Sequence, residues 1–126
     1  MERAYTWNDG KRLEVTAKTL IMGILNVTPD SFSDGGKWNT EEGAKSHIRD
    51  MIDAGADIID VGAESTRPGS RPLTAEEEME RLKTFLPMVL EESSVPVSVD
   101  TYHWKTADDA LHAGAHMMND IWGLQY

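Results

Sequence analysis

The chain has 126 residues, 40% of them hydrophobic and 27% charged, with no cysteine and a net charge of −10 at pH 7. That is one ordinary globular domain's worth of chain, and it excludes disulfides and thiolate metal sites. It also argues against gripping a nucleic-acid backbone, which needs clustered Lys and Arg.

An anionic small molecule remains compatible with this charge if local cations or a divalent metal offset the global field. No apolar run reaches membrane-spanning length, and Met1-Glu2-Arg3 is not followed by an apolar leader. A cytoplasmic protein with no membrane partner is therefore expected.

In chain order, residues 5–15 alternate loosely around Asn8-Asp9-Gly10, which predicts a small hairpin able to cover one end of a sheet or barrel. A continuous apolar run, residues 19–26, then predicts a strand buried on both faces and ending at Asn26. Pro29, Asp30, Ser31, Phe32, Ser33, Asp34, Gly35 and Gly36 follow as a polar loop long enough to close over a ligand. Asn39 and Glu42 stand at capping-box spacing, and Ala44, Ile48, Met51 and Ile52 recur at helical spacing up to the stop at Gly55.

A second strand is expected at 58–61, followed by a second polar loop from Gly62 to Pro72. Thr74 and Glu77 make another capping box. Met79, Leu82, Phe85, Leu86, Val89 and Leu90 form a helical stripe that Pro87 should kink or split. Glu76, Glu77, Glu78 and Glu80 read as a solvated face at the helix start. The third strand is expected at 95–99, running into Asp100. A third helix is marked by Trp104, Ala107, Ala110 and Leu111 and closed by Gly114. A fourth strand at 115–118 leads into Asn119-Asp120.

This β-α-β-α-β-α-β order implies a parallel sheet. An open doubly wound sheet and part of a (β/α)₈ barrel both fit. Asn26, Asp60, Asp100, Asn119 and Asp120 fall at the carboxyl ends of all four strands, which favours the barrel, where every strand contributes to one central site. A complete barrel takes about 250 residues. The expected fold is therefore α/β: the N-terminal half of a (β/α)₈ (TIM) barrel, residues 19–126, preceded by a hairpin over residues 1–18.

Carboxylates and carboxamides at a barrel mouth suit the polar edge of a heterocycle, and a carboxamide oxygen suits a hard metal. Arg67 with Ser65 and Thr66, in a loop bounded by Pro68 and Gly69, suits an anion. His47, His103, His112 and His116 are scattered and predict no zinc site. Trp104 and Trp122 read as packing residues. No dinucleotide, Walker or nucleophile-elbow motif occurs.

The run from Met22 to Gly36, the run Asp60-Val61-Gly62-Ala63-Glu64-Ser65-Thr66-Arg67-Pro68-Gly69, the run Ser98-Val99-Asp100-Thr101 and the pair Asn119-Asp120 together resemble the signatures of dihydropteroate synthases. The resemblance implies condensation of 6-hydroxymethyl-7,8-dihydropterin diphosphate with 4-aminobenzoate, giving 7,8-dihydropteroate and diphosphate. It implies Mg²⁺ as cofactor and inhibition by sulfonamides. By motif position, Asn26 would serve the Mg²⁺–diphosphate site, and Thr66, Asp100 and Asn119 would bind the pterin substrate. Phe32, Asp34, Arg67 and Pro68 would belong to two loops that close the reacting centre and shape the aminobenzoate pocket, with Asp34 and Arg67 nearest the chemistry.

Ala63 stands where the family usually has a second glycine, so an extra methyl group is expected at the mouth of the second strand. The family's further pterin contacts, its anion site and its homodimer-forming helices would belong to a second half beyond Tyr126. This chain alone is accordingly expected to be nearly inactive. The alternatives are a non-catalytic half-barrel that binds pterin or needs a partner chain, and the related pterin domain of a methyltransferase.

Overall fold

The structure, a computed structural model, describes residues 2–27, 41–63 and 74–120. It begins with two short antiparallel strands, β1 (Arg3–Thr6) and β2 (Arg12–Val15), paired from Arg3↔Val15 to Thr6↔Arg12. Their turn is closed by Gly10, whose φ of 87° a side-chain-bearing residue would resist.

Four parallel strands follow: β3 (Met22–Asn26), β4 (Ile58–Gly62), β5 (Val97–Asp100) and β6 (Met117–Asn119). They lie side by side in chain order, β3-β4-β5-β6. A doubly wound sheet reverses its strand order at a switch point, whereas a barrel adds each strand next to the last. The observed order is the barrel's.

Among the described residues each crossover carries one helix: α1 (Glu41–Asp53), α2 (Ala75–Glu92) and α3 (Trp104–His112). The Thr74 hydroxyl accepts from the Glu77 N–H, and the Glu77 carboxylate accepts from the Thr74 N–H, so the expected capping box opens α2. The Asn39 signal before α1 lies outside the described residues. Gly55 and Gly114 end their helices with φ of 110° and 115°. Pro87 does not split α2, which runs unbroken from Ala75 to Glu92. Its neighbours Leu86, Met88 and Val89 are buried, and that packing outweighs the one backbone bond a proline removes.

The strand faces differ in character. Leu25, Val27, Ile59, Val61, Val97 and Val99 join Ala44 and Ile48 of α1, Leu82 and Leu86 of α2, and Ala110 of α3 in one core. The opposite face carries Met22 and Ile24, which are 42% and 56% exposed. On the central strands that face carries Asp60 and Ser98, both buried.

Four further expectations are corrected. The strand at 19–26 is buried on one face only, since β3 exposes Met22 and Ile24 on the other. Glu78 is 0% exposed rather than solvated. It stands four, eight and eleven residues before Leu82, Leu86 and Val89, on the same stripe that buries α2. Trp104 is 63% exposed rather than packed, because α3 turns Thr106 and Ala110 inward instead. The Ala63 methyl is not at the mouth: Ala63 points to the helix side, 0% exposed within the core.

The hairpin sits at the amino ends of the strands. His116, just before β6, receives the Val97 N–H on Nδ1 at 2.9 Å. Its Nε2 therefore carries the proton and donates to Asp9 at 2.6 Å. Trp7 meets the His116 ring edge-on at 5.2 Å, and Lys11 Nζ donates to the Leu90 carbonyl at 2.7 Å. These contacts plug the end of the sheet remote from the polar residues.

Candidate functional site

Parallel register builds the site. Asn26 pairs with Gly62, Gly62 with Asp100, and Asp100 with Asn119. Because residues in register project to the same face, one row at the carboxyl ends carries Asn26, Gly62, Asp100 and Asn119. Val27 N–H donates to Gly62 O at 2.8 Å and Thr101 N–H to Asn119 O at 3.1 Å, which fixes the strand ends to one another.

Gly62 is the cradle of this row. A Cβ built there would lie 3.3 Å from Asn26 Oδ1 and 3.5 Å from both Cβ and Oδ2 of Asp100. The missing side chain lets two hard oxygen donors from different strands approach one spot. Asn26 is exposed, and Asp100 and Asn119 are half-buried, so the row faces outward from the mouth.

One register step below lie Ile24, Asp60 and Ser98. Asp60 is therefore in the middle of β4, not at its carboxyl end as the sequence pattern suggested. Its carboxylate is 2% exposed and accepts from Ser98 Oγ at 2.5 Å and from Asn119 Nδ2 at 3.3 Å. Burial pushes the Asp60 carboxyl up from its ordinary range, and the bonds from Ser98 and Asn119 pull it partly back.

A second buried carboxylate supports the mouth from the helix side. Glu78 Oε1 accepts from Thr101 Oγ1 at 2.5 Å and lies 3.1 Å from His103 Nδ1. One turn further along α2, Arg81 Nη1 donates to the Ala63 carbonyl at 3.0 Å. So α2 clamps the ends of β4 and β5, directly behind Gly62 and Asp100. The sequence pattern places Glu78 in solvent and Asp60 among the strand-end carboxylates, and the structure corrects both. The helical stripe was the available signal for Glu78. For Asp60 the signal was its i, i+2 relation to Gly62, which puts both on one strand face.

Of the expected site residues, Asn26, Asp100 and Asn119 are brought together in this row. Phe32, Asp34, Thr66, Arg67 and Pro68 lie outside the described residues. Among the described residues there is no group of three His, Cys, Asp or Glu placed to hold a metal. None has a helix long and apolar enough to cross a membrane.

Residues 22–126 match the family described as pterin binding enzyme. The chain belongs to this family. It is 52% identical over 115 residues to the dihydropteroate synthase of Clostridium beijerinckii, covering 91% of this chain and 43% of that protein. The crystal structure of a Clostridium difficile dihydropteroate synthase, in the presence of pteroic acid, superposes with a TM-score of 0.78 at 50% identity. That match covers 86% of this chain and 41% of the other. The Anaplasma phagocytophilum dihydropteroate synthase, with bound 6-hydroxymethylpterin-monophosphate, superposes at 0.71 with 52% identity, covering 84% and 41%. This family member thus spans about two-fifths of the length of such relatives, and its sheet and helices are the first half of their (β/α)₈ barrel.

Proposed function

We propose that this chain is the amino-terminal part of a dihydropteroate synthase. The reaction is condensation of 6-hydroxymethyl-7,8-dihydropterin diphosphate with 4-aminobenzoate, releasing diphosphate. The observation that carries the reading is the row Asn26-Gly62-Asp100-Asn119, set at the carboxyl ends of a barrel-ordered sheet. It is supported by relatives of that name, one of them with a bound hydroxymethylpterin phosphate.

In this reading Asp100 accepts from ring N–H and amino donors of the pterin, and Asn119 pairs with the same polar edge. The methylene–oxygen bond breaks as the electron-rich ring releases charge into the methylene carbon, and the amine of aminobenzoate then attacks that carbon. No strong base is needed, because the amine is itself the nucleophile.

The donor set over Gly62 fits a Mg²⁺ ion: Asn26 Oδ1 and Asp100 Oδ2 are hard oxygens converging on one spot. Two such ligands suffice, since Mg²⁺ completes its shell with water and substrate phosphate. When bound, the ion would supply charge neutralisation for the departing diphosphate. Thr66 would join the pterin-diphosphate contacts. Phe32, Asp34, Arg67 and Pro68 would exclude water and shape the aminobenzoate site. Sulfonamide sensitivity, a cytoplasmic location and a homodimer formed through the remainder of the barrel complete the proposal.

Titration of the chain with 6-hydroxymethylpterin-monophosphate, with and without Mg²⁺, tests it. Saturable binding that weakens at least tenfold in Asp100→Ala supports the reading. Absence of binding, or binding indifferent to that substitution, overturns it.

A second reading has its own observation. Met22 and Ile24 face solvent across the inner side of β3, so the described half does not enclose a site by itself. Chemistry would then require the rest of the barrel. Condensation by this chain alone, at a rate near that of the Clostridium beijerinckii relative, would refute this.

A further inference from the structure

Asp60 is a buried carboxyl to which the reaction assigns no task. It joins three strands: Oδ1 takes the Ser98 hydroxyl on β5, and Oδ2 takes the Asn119 side chain on β6. An ionised carboxylate only accepts hydrogen bonds. Facing it, the carboxamide of Asn119 must present its NH₂ branch, because its oxygen there would oppose another oxygen. Asn119 sits one register step closer to the mouth than Ser98, and Ser98 pairs with Asp60. The NH₂ branch is thus committed toward the sheet interior, and the planar amide carries its carbonyl on the opposite branch.

We propose that Asp60 is a positioning residue that fixes the Asn119 carboxamide so that its carbonyl is offered at the mouth, making Asn119 a reader of hydrogen-bond donors. The proposal rests on the pterin reading above. A pterin presents ring N–H and exocyclic amine donors, whereas a 2-oxo analogue replaces the amine with an acceptor. With Asp60 in place the site discriminates between the two. Without it the amide turns freely and accommodates either. The Ser98 hydroxyl occupies the other oxygen of Asp60 and limits its rotation.

The test uses the 126-residue chain and its Asp60→Leu, Asp60→Asn and Ser98→Ala variants. Side-chain amide NMR follows Asn119 directly, and fluorescence titration compares 6-hydroxymethylpterin with its 2-oxo counterpart. In the parent, one Asn119 amide proton should be shifted downfield and protected from exchange, and the pterin should bind about tenfold tighter than the analogue, the value of one hydrogen bond. Asp60→Leu should abolish the protection and reduce the preference to about twofold or less. Ser98→Ala, which leaves the Asp60–Asn119 bond intact, should retain most of the preference.

If Asp60→Leu fails to fold, Asp60→Asn carries the test. It keeps the shape but pairs with Asn119 in either orientation, so the preference must still fall. An unmoved Asn119 signal with an unchanged preference, in either folded Asp60 variant, overturns the proposal. If the parent binds neither ligand, the pterin reading fails, and the amide signals still decide whether Asp60 orients Asn119.

Discussion

Replacing Gly62 by alanine should leave the fold intact and damage the site, and Gly23 provides the control. Neither glycine needs a positive φ, so the backbone tolerates a side chain at both. What differs is the face. At Gly23 a new methyl would meet Met51 Sδ at 2.7 Å and Ile59 Cδ1 at 3.3 Å, inside the packed interface between β3 and α1. Overpacking of that kind costs roughly 1–3 kcal/mol, only partly offset by about 0.4–1 kcal/mol from the lower entropy of the unfolded alanine chain. At Gly62 the methyl meets Asn26 Oδ1 at 3.3 Å and Asp100 Oδ2 at 3.5 Å. These side chains stand at the open mouth and give way by a few tenths of an ångström. The net stability change for Gly62→Ala is therefore within about 1 kcal/mol of zero. The cradle is nevertheless filled, and the two oxygens can no longer close on one cation. Urea unfolding and titration with 6-hydroxymethylpterin-monophosphate in Mg²⁺ separate the two effects. Gly23→Ala should lose stability, while Gly62→Ala should keep its stability and bind at least tenfold more weakly. A Gly62→Ala chain that unfolds as readily as Gly23→Ala, or that binds like the parent, would refute the reasoning.

Three further outcomes follow from the same geometry. The bond from His116, and then the Lys11 N–H, hold the Asp9 carboxyl below its ordinary 3.8. A lowered native value means that the stabilisation is present above the unfolded pKa and disappears as pH falls through the native one. Trp7 fluorescence should accordingly report release of the hairpin in acid below about pH 4, and Asp9→Asn should abolish that transition. Glu78→Ala strips the partners from Thr101 and His103 inside the protein, at a cost of about 1–3 kcal/mol by chemical denaturation. Glu78→Gln, which keeps an acceptor, should cost less. Thr74→Ala removes the cap of α2 and should lower stability by about 1 kcal/mol, visible as a lower urea midpoint with an unchanged slope.

What could be read in the sequence was local or periodic. Thr74 and Glu77 declared their capping box because both bonds span three residues. The strand cores at Ile58 and Val97 were plain because parallel strands buried on both faces are continuously apolar. The hairpin, the barrel order and the clustering of Asn26, Asp100 and Asn119 also followed from pattern. What escaped depends on register. Asp60 and Ser98 are 38 residues apart, and no spacing rule announces that they will share a proton. Asp60 looked like a strand end because β4 extends one residue further, through Gly62. Glu78 was hidden among like neighbours, where composition suggested solvent although its stripe pointed inward. The side assigned to Ala63 failed for a different reason: it directly follows Gly62, and successive residues on a strand point to opposite faces, so a one-residue error in phase exchanges core for mouth.

The hairpin latch also has a consequence for how the chain assembles during synthesis. Neighbouring strands are built from segments close in sequence: Ile21 meets Asp57 across 36 residues, and Asp60 meets Ser98 across 38. Each new unit emerging from the ribosome can dock on the one already made. The Asp9–His116 bond instead spans 107 residues. The ribbon can first be held by Lys11 on the Leu90 carbonyl, across 79 residues, but its Asp9 latch waits for the last described strand and closes a longer loop still. The plug therefore closes last, and Trp7 reports when the four strands have been laid down in order.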